Sequence, residues 1–216
     1  MKIGIIVAME KELRQLRQLF TDEGSVRVEK CGIGKVNAAL GAQRLINDFR
    51  PDVIISSGCA GGHGDGVRVQ DVVASTELTY HDVYCGAAVG STVYGQVQGM
   101  PARYQVDPYL LSKVENLKLG DSQLRIHQGL IVTGDWFVDT KDKMREIIGH
   151  FPEAKAVDME SAAIAQTCLI NKVQFISFRI ISDLPLEDTD ASMYHDFWNT
   201  MADRSFQVTK TFVESL

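Results

Sequence analysis

The sequence predicts an α/β protein: a single-domain, three-layer α/β/α sandwich around a mixed, largely parallel central sheet. Two observations predict it. Short continuous apolar runs, such as Ile3 to Val7, Asp52 to Ser57 (DVIISS) and Val173 to Ile181, lack the alternation of a half-exposed strand, as strands covered on both faces do. Between them lie segments whose apolar residues recur at spacings of three and four, and strand–helix alternation of this kind builds a parallel sheet flanked by helices.

Each element can be read in order. After the strand Ile3 to Val7, Met9, Leu13, Leu16 and Phe20 form one apolar helix face. Val36, Ala39, Leu40, Gln43, Ile46 and Phe49 carry a second helix, closed by Pro51. DVIISS is a strand ending in the glycine-rich run GCAGGHGDG. Strands follow at Val67 to Ser75 and around Leu124 to Val132, with a helix between them that turns Leu110, Leu111, Val114 and Leu117 inward. Next come a helix over Lys141 to Gly149, a strand over Ala154 to Asp158, an Ala-rich helix over Ser161 to Asn171 and the strand Val173 to Ile181. A final helical stretch spans about Ala191 to Val213, with Tyr194, Phe197, Met201, Phe206 and Val213 as core contacts.

No repeat, low-complexity tract or linker interrupts this order, so residues 1–216 read as one domain, long enough for a sizeable core. With 22 Lys plus Arg against 28 Asp plus Glu, the net charge is -6. That balance, with no basic run, argues against nucleic acid or an anionic membrane and for a small molecule or another protein as partner. The first apolar run, Ile3 to Met9, is too short for a signal-peptide core or a membrane span. Cys31, Cys59, Cys85 and Cys168 form no CxxC pair, which fits free cytoplasmic thiols. No two of the five histidines stand at helical ligand spacing, so no metal is expected, and with no GxGxxG or P-loop pattern no cofactor is expected either.

In α/β sheets, ligands bind beyond the carboxyl ends of the strands. That rule selects Met9 to Glu12, Cys59 to Gly62, Asp135 to Val138, Met159 with Glu160, and Ser182 with Asp183. Carboxylates converging there suit glycosyl transfer, which needs an acid for the leaving group and a base for water. Each residue also has a structural reading. Glu12 and Glu160 near helix starts can answer the helix dipole or cap it, and Asp183 before Leu-Pro can cap a turn. Trp136 and Phe137 can be core aromatics, and the GCAGG glycines can serve a tight turn as well as a close ligand approach.

Taken together, GIIVAMEKEL, CGIGKVNAAL, PDVIISSGCAGG, YHDV, VYGQ, GLIVTGDWFV, FPEAKAVDMESAAIAQTC and FRIISD resemble the 5'-methylthioadenosine/S-adenosylhomocysteine nucleosidases of the nucleoside phosphorylase superfamily. The resemblance implies the nucleoside phosphorylase type of sandwich and hydrolysis of the bond between adenine and a thio-substituted ribose. Asp183 is implied as the general acid at N7 of adenine, oriented by Ser182, and Glu12 as the base for the attacking water. Glu160 would accept the ribose hydroxyls, with Met159 packed on the sugar, and Arg179 would pair with the carboxylates and hold the water site. Phe137 would stack on the base, the Val138 backbone would read the adenine edge, and Ala60 and Gly61 would line the ribose end. Met9 and apolar residues near Tyr94 to Pro101 would take the alkylthio group, part of that pocket coming from the neighbouring subunit of a homodimer.

This chain departs from the resemblance at Cys59, where the family usually has a serine beside the water. It has Asp158 in place of the more usual glutamate, and over Thr21 to Lys30 it has room for about one strand where two are usual. Glu10 and Glu12 in the first loop would repel phosphate, which favours water as nucleophile. Another purine nucleosidase or phosphorylase, futalosine hydrolase among them, and a catalytically reduced adenine-nucleoside binding module are the alternatives.

Overall fold

The computed structural model describes residues 1–20, 24–86, 92–120, 124–187, 192–200 and 202–216. Among these the elements run β1 (Ile3–Val7), α1 (Glu10–Leu19), β2 (Val26–Lys30), α2 (Lys35–Phe49), β3 (Val53–Gly62), β4 (Val72–Tyr80) and β5 (Tyr104–Gln105). They continue with α3 (Pro108–Glu115), β6 (Ile126–Thr133), α4 (Lys141–His150), β7 (Ala154–Asp158), α5 (Ser161–Asn171), β8 (Gln174–Asp183), α6 (Ser192–Thr200) and α7 (Ala202–Ser215).

The strands form one mixed, largely parallel sheet in the order β2-β1-β3-β7-β6-β4-β5, with β8 pairing both β3 and β4. β1–β2, β1–β3, β3–β8, β4–β6 and β6–β7 are parallel; β3–β7, β4–β5 and β4–β8 are antiparallel. β3, β7, β6, β4 and β8 therefore close a ring. Its closure brings the carboxyl ends of β3 and β8 against that of β7, where Gly61 pairs with both Val157 and Asp183. β1 is buried throughout and β8 at every residue after Gln174, as covered strands require. α2 packs on α5, and α1 and α3 pack on α7, giving the helical layers of the α/β/α sandwich.

Four expectations need correction. β3 does not stop at the glycine run but carries GCAGG as strand to Gly62, because the run pairs with β8 and β7 along its length. The next strand starts at Val72, not Val67. Asp71 holds the preceding residues in a turn, its carboxylate accepting the Arg68 N–H at 3.0 Å. On α2 the inward face is Ala38, Gly41, Ala42, Leu45 and Phe49, while Val36 and Leu40 are 69% and 64% exposed. Small residues let this helix lie close: a Cβ on Gly41 would come 2.4 Å from the Cys31 Cβ, so the bulkier stripe faces out. The last helical stretch is two helices; Phe197 and Phe206 are buried, whereas Ala191 and Met201 lie outside the described residues. The Thr21 to Lys30 stretch holds β2 among its described residues, paired in parallel with β1.

Candidate active site

The first βα junction builds one side of the site. α1 begins at Met9 without a Ser, Thr, Asn or Asp at its N-cap. Glu12 does the capping from the third helical position: its Oε2 accepts the N–H of Ala8 and of Met9, each at 2.9 Å. Its Oε1 accepts the Cys59 N–H from β3 at 3.0 Å. The carboxylate that caps α1 therefore also faces the cleft. Burial at 2% exposure raises its pKa, against the opposing pull of Arg179 and the three N–H donors.

β8 supplies the other side. Its last residues, Ser182 and Asp183, are buried, and the Ser182 hydroxyl donates to Asp183 Oδ1 at 2.6 Å. Four residues earlier Arg179, 1% exposed, runs under the floor. Its Nε donates to Asp158 Oδ2 and, at 3.0 Å, to Ser161 Oγ; its Nη2 donates to Ser56 Oγ at 2.9 Å and stands 3.7 Å from Glu160 Oε2. Thr133 and Ser161 donate to Asp158 as well, so this aspartate is fully engaged in holding the guanidinium. Glu160 Oε1 accepts the Gly34 N–H at 3.0 Å. Burial pushes the Glu160 carboxyl up to about 7, with Arg179 pulling it down and Asp158 adding to the rise.

These groups surround an open cleft that also takes in Ile33, Phe137 and Tyr194. Trp136 and Phe137, from the segment after β6, are 52% and 46% exposed at its edge, so neither is a core aromatic. Tyr194 from α6 meets the Phe137 ring edge-on at 5.4 Å and hydrogen-bonds the Met9 sulfur at 3.6 Å, forming the mouth. No lysine or arginine is among the described residues lining the cleft. Nor do the described residues include a group of three or more His, Cys, Asp or Glu able to hold a metal ion.

The phosphorylase superfamily model matches residues 20–214. A 5'-methylthioadenosine/S-adenosylhomocysteine nucleosidase from Exiguobacterium sp. (strain ATCC BAA-1283 / AT1b) is 41% identical over 233 aligned positions, covering 100% of this chain and 99% of its own. The chain belongs to this nucleosidase family. A further member, from Maridesulfovibrio salexigens, is 35% identical over 100% of both chains. Among solved members, the Neisseria meningitidis enzyme in complex with methylthio-immucillin-A superposes with a TM-score of 0.91 at 36% identity, covering 100% of this chain and 99% of its own. The Colwellia psychrerythraea enzyme in complex with adenine gives 0.91 at 34%, covering 100% and 96%.

Within this family member the cleft gathers Met9, Glu12, Cys59, Ala60, Gly61, Phe137, Val138, Met159, Glu160, Ser182 and Asp183, drawn from five separate strand ends. Arg179 is the exception. It pairs with the carboxylates as expected, but it lies behind the cleft wall rather than on it. Tyr94 to Pro101 do not line the cleft of their own chain. Tyr94 instead stacks on His150 at 3.8 Å, and Pro101 borders a separate hollow near β5. Tyr194, read from the sequence as a core contact, is the main lining residue that was missed. Its helical spacing matched a core position, and only the placement of α6 beside Met9 reveals its role. Cys59 is half-buried in the cleft wall, and its thiol is pushed well up by burial and by the Glu12 and Asp183 carboxylates.

Proposed function

We propose that this chain hydrolyses the N-glycosidic bond of 5'-methylthioadenosine and S-adenosylhomocysteine, releasing adenine and the thio-ribose. One observation carries this: two buried carboxyl groups, Glu12 and Asp183, reach one cleft from α1 and β8. In this reading Asp183, oriented by Ser182, protonates N7 of adenine, so that the base departs neutral. Glu12 takes the proton of the attacking water. Burial raises its pKa, which makes the carboxylate a stronger base for that proton. Glu160 receives the ribose hydroxyls with Met159 on the sugar; Phe137 and the Val138 backbone hold the base, and Ala60, Gly61 and Cys59 border the ribose and water.

Water rather than phosphate is favoured as nucleophile by charge. The nearest guanidinium, Arg179, already faces Asp158, Glu160 and Glu12 from behind the wall, and no cation lines the cleft among the described residues. An entering phosphate would meet carboxylates.

The whole of residues 1–216 is read as one nucleosidase domain, acting in the cytoplasm as a homodimer. Four free thiols are consistent with a reducing compartment. The dimer reading comes from the family resemblance and is supported by Ile33, Val36 and Leu40, at least half exposed in a row at the start of α2, beside the cleft that Ile33 also lines. A second copy docked there is the route by which a Tyr94 to Pro101 segment could reach the alkylthio end.

The test is adenine release from each nucleoside in phosphate-free buffer. Release from both supports the proposal. A strict need for phosphate would make the protein a phosphorylase, and binding without release a nucleoside-binding module.

A further inference from the structure

Glu160 owes its position to more than its own helix. The donor to its Oε1 is the N–H of Gly34, in the turn that starts α2. Gly32 and Gly34 hold φ of 99° and 91°, values that leave the direction of that N–H to whatever fixes the turn from outside. No side chain of the turn caps α2. The cap comes from Asp135, a hundred residues away, whose Oδ1 accepts the Lys35 N–H at 2.7 Å. The Asp135 N–H in turn donates to Asp82 Oδ2 at 2.8 Å, and the Lys35 ammonium returns to both Asp82 oxygens at 2.8 and 2.7 Å. Three residues from the start of α2, the end of β4 and the end of β6 thereby close a hydrogen-bonded cycle. The packing is tight enough that a Cβ on Gly34 would come 2.9 Å from Asp135 Oδ1.

We propose that the Lys35–Asp82–Asp135 cycle is a positioning device for Glu160: it aims the Gly34 N–H at the carboxylate and so holds Glu160 as the anion that accepts ribose hydroxyls. Asp135 stands immediately before Trp136 and Phe137, so the same residue joins the base wall to the sugar anchor. The groups facing Glu160 are Arg179 from β8, Asp158 from β7, Glu12 from α1 and Cys31 after β2. Arg179 and the Gly34 N–H favour the anion there, while burial and the two acids oppose it. Loss of one aligned donor from so balanced a group moves its titration upward.

The kinetic half of the proposal rests on the nucleosidase reading; the titration half does not. Carboxyl ¹³C NMR of the free protein follows Glu160, its signal assigned by its loss in Glu160→Gln. In Asp135→Ala the titration should move to higher pH. Removing the Asp135 charge alone would move it to lower pH, so the direction separates geometry from charge. Asp135→Asn keeps an oxygen acceptor for Lys35 and should restore most of the original value. Asp82→Ala, which opens the cycle from its other side and likewise removes a negative charge, should give a smaller upward shift and serves if Asp135→Ala does not fold. With 5'-methylthioadenosine, Asp135→Ala should raise KM about tenfold with much less effect on kcat, and should carry the acid limb of kcat/KM upward in pH. The proposal is overturned if Glu160 titrates as in wild type, or at lower pH, in Asp135→Ala or, should that variant not fold, in Asp82→Ala. It is equally overturned if Asp135→Asn shifts as far as Asp135→Ala. Absence of adenine release from wild type, with the NMR shifts as expected, would overturn the nucleosidase reading and leave the positioning device standing.

Discussion

The carboxylate of Glu12 and the guanidinium of Arg179 meet over the α-carbon of Gly58. A Cβ there would fall 2.7 Å from Glu12 Oε1 and 2.4 Å from Arg179 Nη1. One is anchored by three backbone donors and the other by Asp158, Ser161 and Ser56, so neither can step aside.

Gly58→Ala should therefore disable the site rather than merely soften the core. We expect adenine release to fall by about 100-fold or more, since a displacement of about 1 Å at a reacting group has that effect. Overpacking should cost about 1–3 kcal/mol of stability. Turnover assays beside urea unfolding check both, and near-normal turnover in a folded variant would refute the packing argument.

Asp183→Asn should lose about 10²–10⁴-fold in adenine release, the usual contribution of a general acid. Nucleoside binding, followed by calorimetry, should persist because the amide keeps an oxygen for the Ser182 hydroxyl 2.6 Å away. Retention of most of the activity would remove Asp183 from the acid role.

Arg179→Met should destabilise the fold by about 3–5 kcal/mol, because Asp158 and Glu160 would remain buried without their cation. Denaturant titration measures this. A loss below about 1 kcal/mol would mean that the carboxylates find other partners.

Glu160 also predicts how stability varies with pH. Its carboxyl is lifted from 4.5 to about 7 by burial, so the folded state binds its proton more tightly than the unfolded chain does. Its stabilising contribution is complete below about 4.5 and is lost as pH rises through about 7. Thermal melts of wild type and Glu160→Gln at pH 5 and pH 8 should thus differ in favour of the variant at the higher pH. A pH-independent difference would contradict the assignment.

Cys59 should resist alkylation in the folded protein at pH 8, since its thiol is held neutral by burial and two nearby carboxylates. Peptide mapping after iodoacetamide treatment reads this out, and rapid labelling of Cys59 would show that its surroundings do not suppress the thiolate.

By itself the sequence determined the covered strands, their alternation with helices, and the chemistry-bearing strand ends. Unbroken apolar runs and three-and-four spacings are local patterns, and β1, β7 and α5 fall where those patterns put them. Position alone left Glu12, Glu160 and Asp183 open to capping readings, and only the combined motifs pointed to a nucleosidase. Tertiary structure decided what depends on residues distant in the chain. It turned the small face of α2 inward, because Gly41 meets Cys31, and so put Val36 and Leu40 outside. It set Arg179 beneath the cleft and Tyr194 at its mouth, and tied the Gly34 turn to Asp135. No periodicity encodes those contacts, because each exists only once the closed sheet brings separate strand ends within hydrogen-bonding reach.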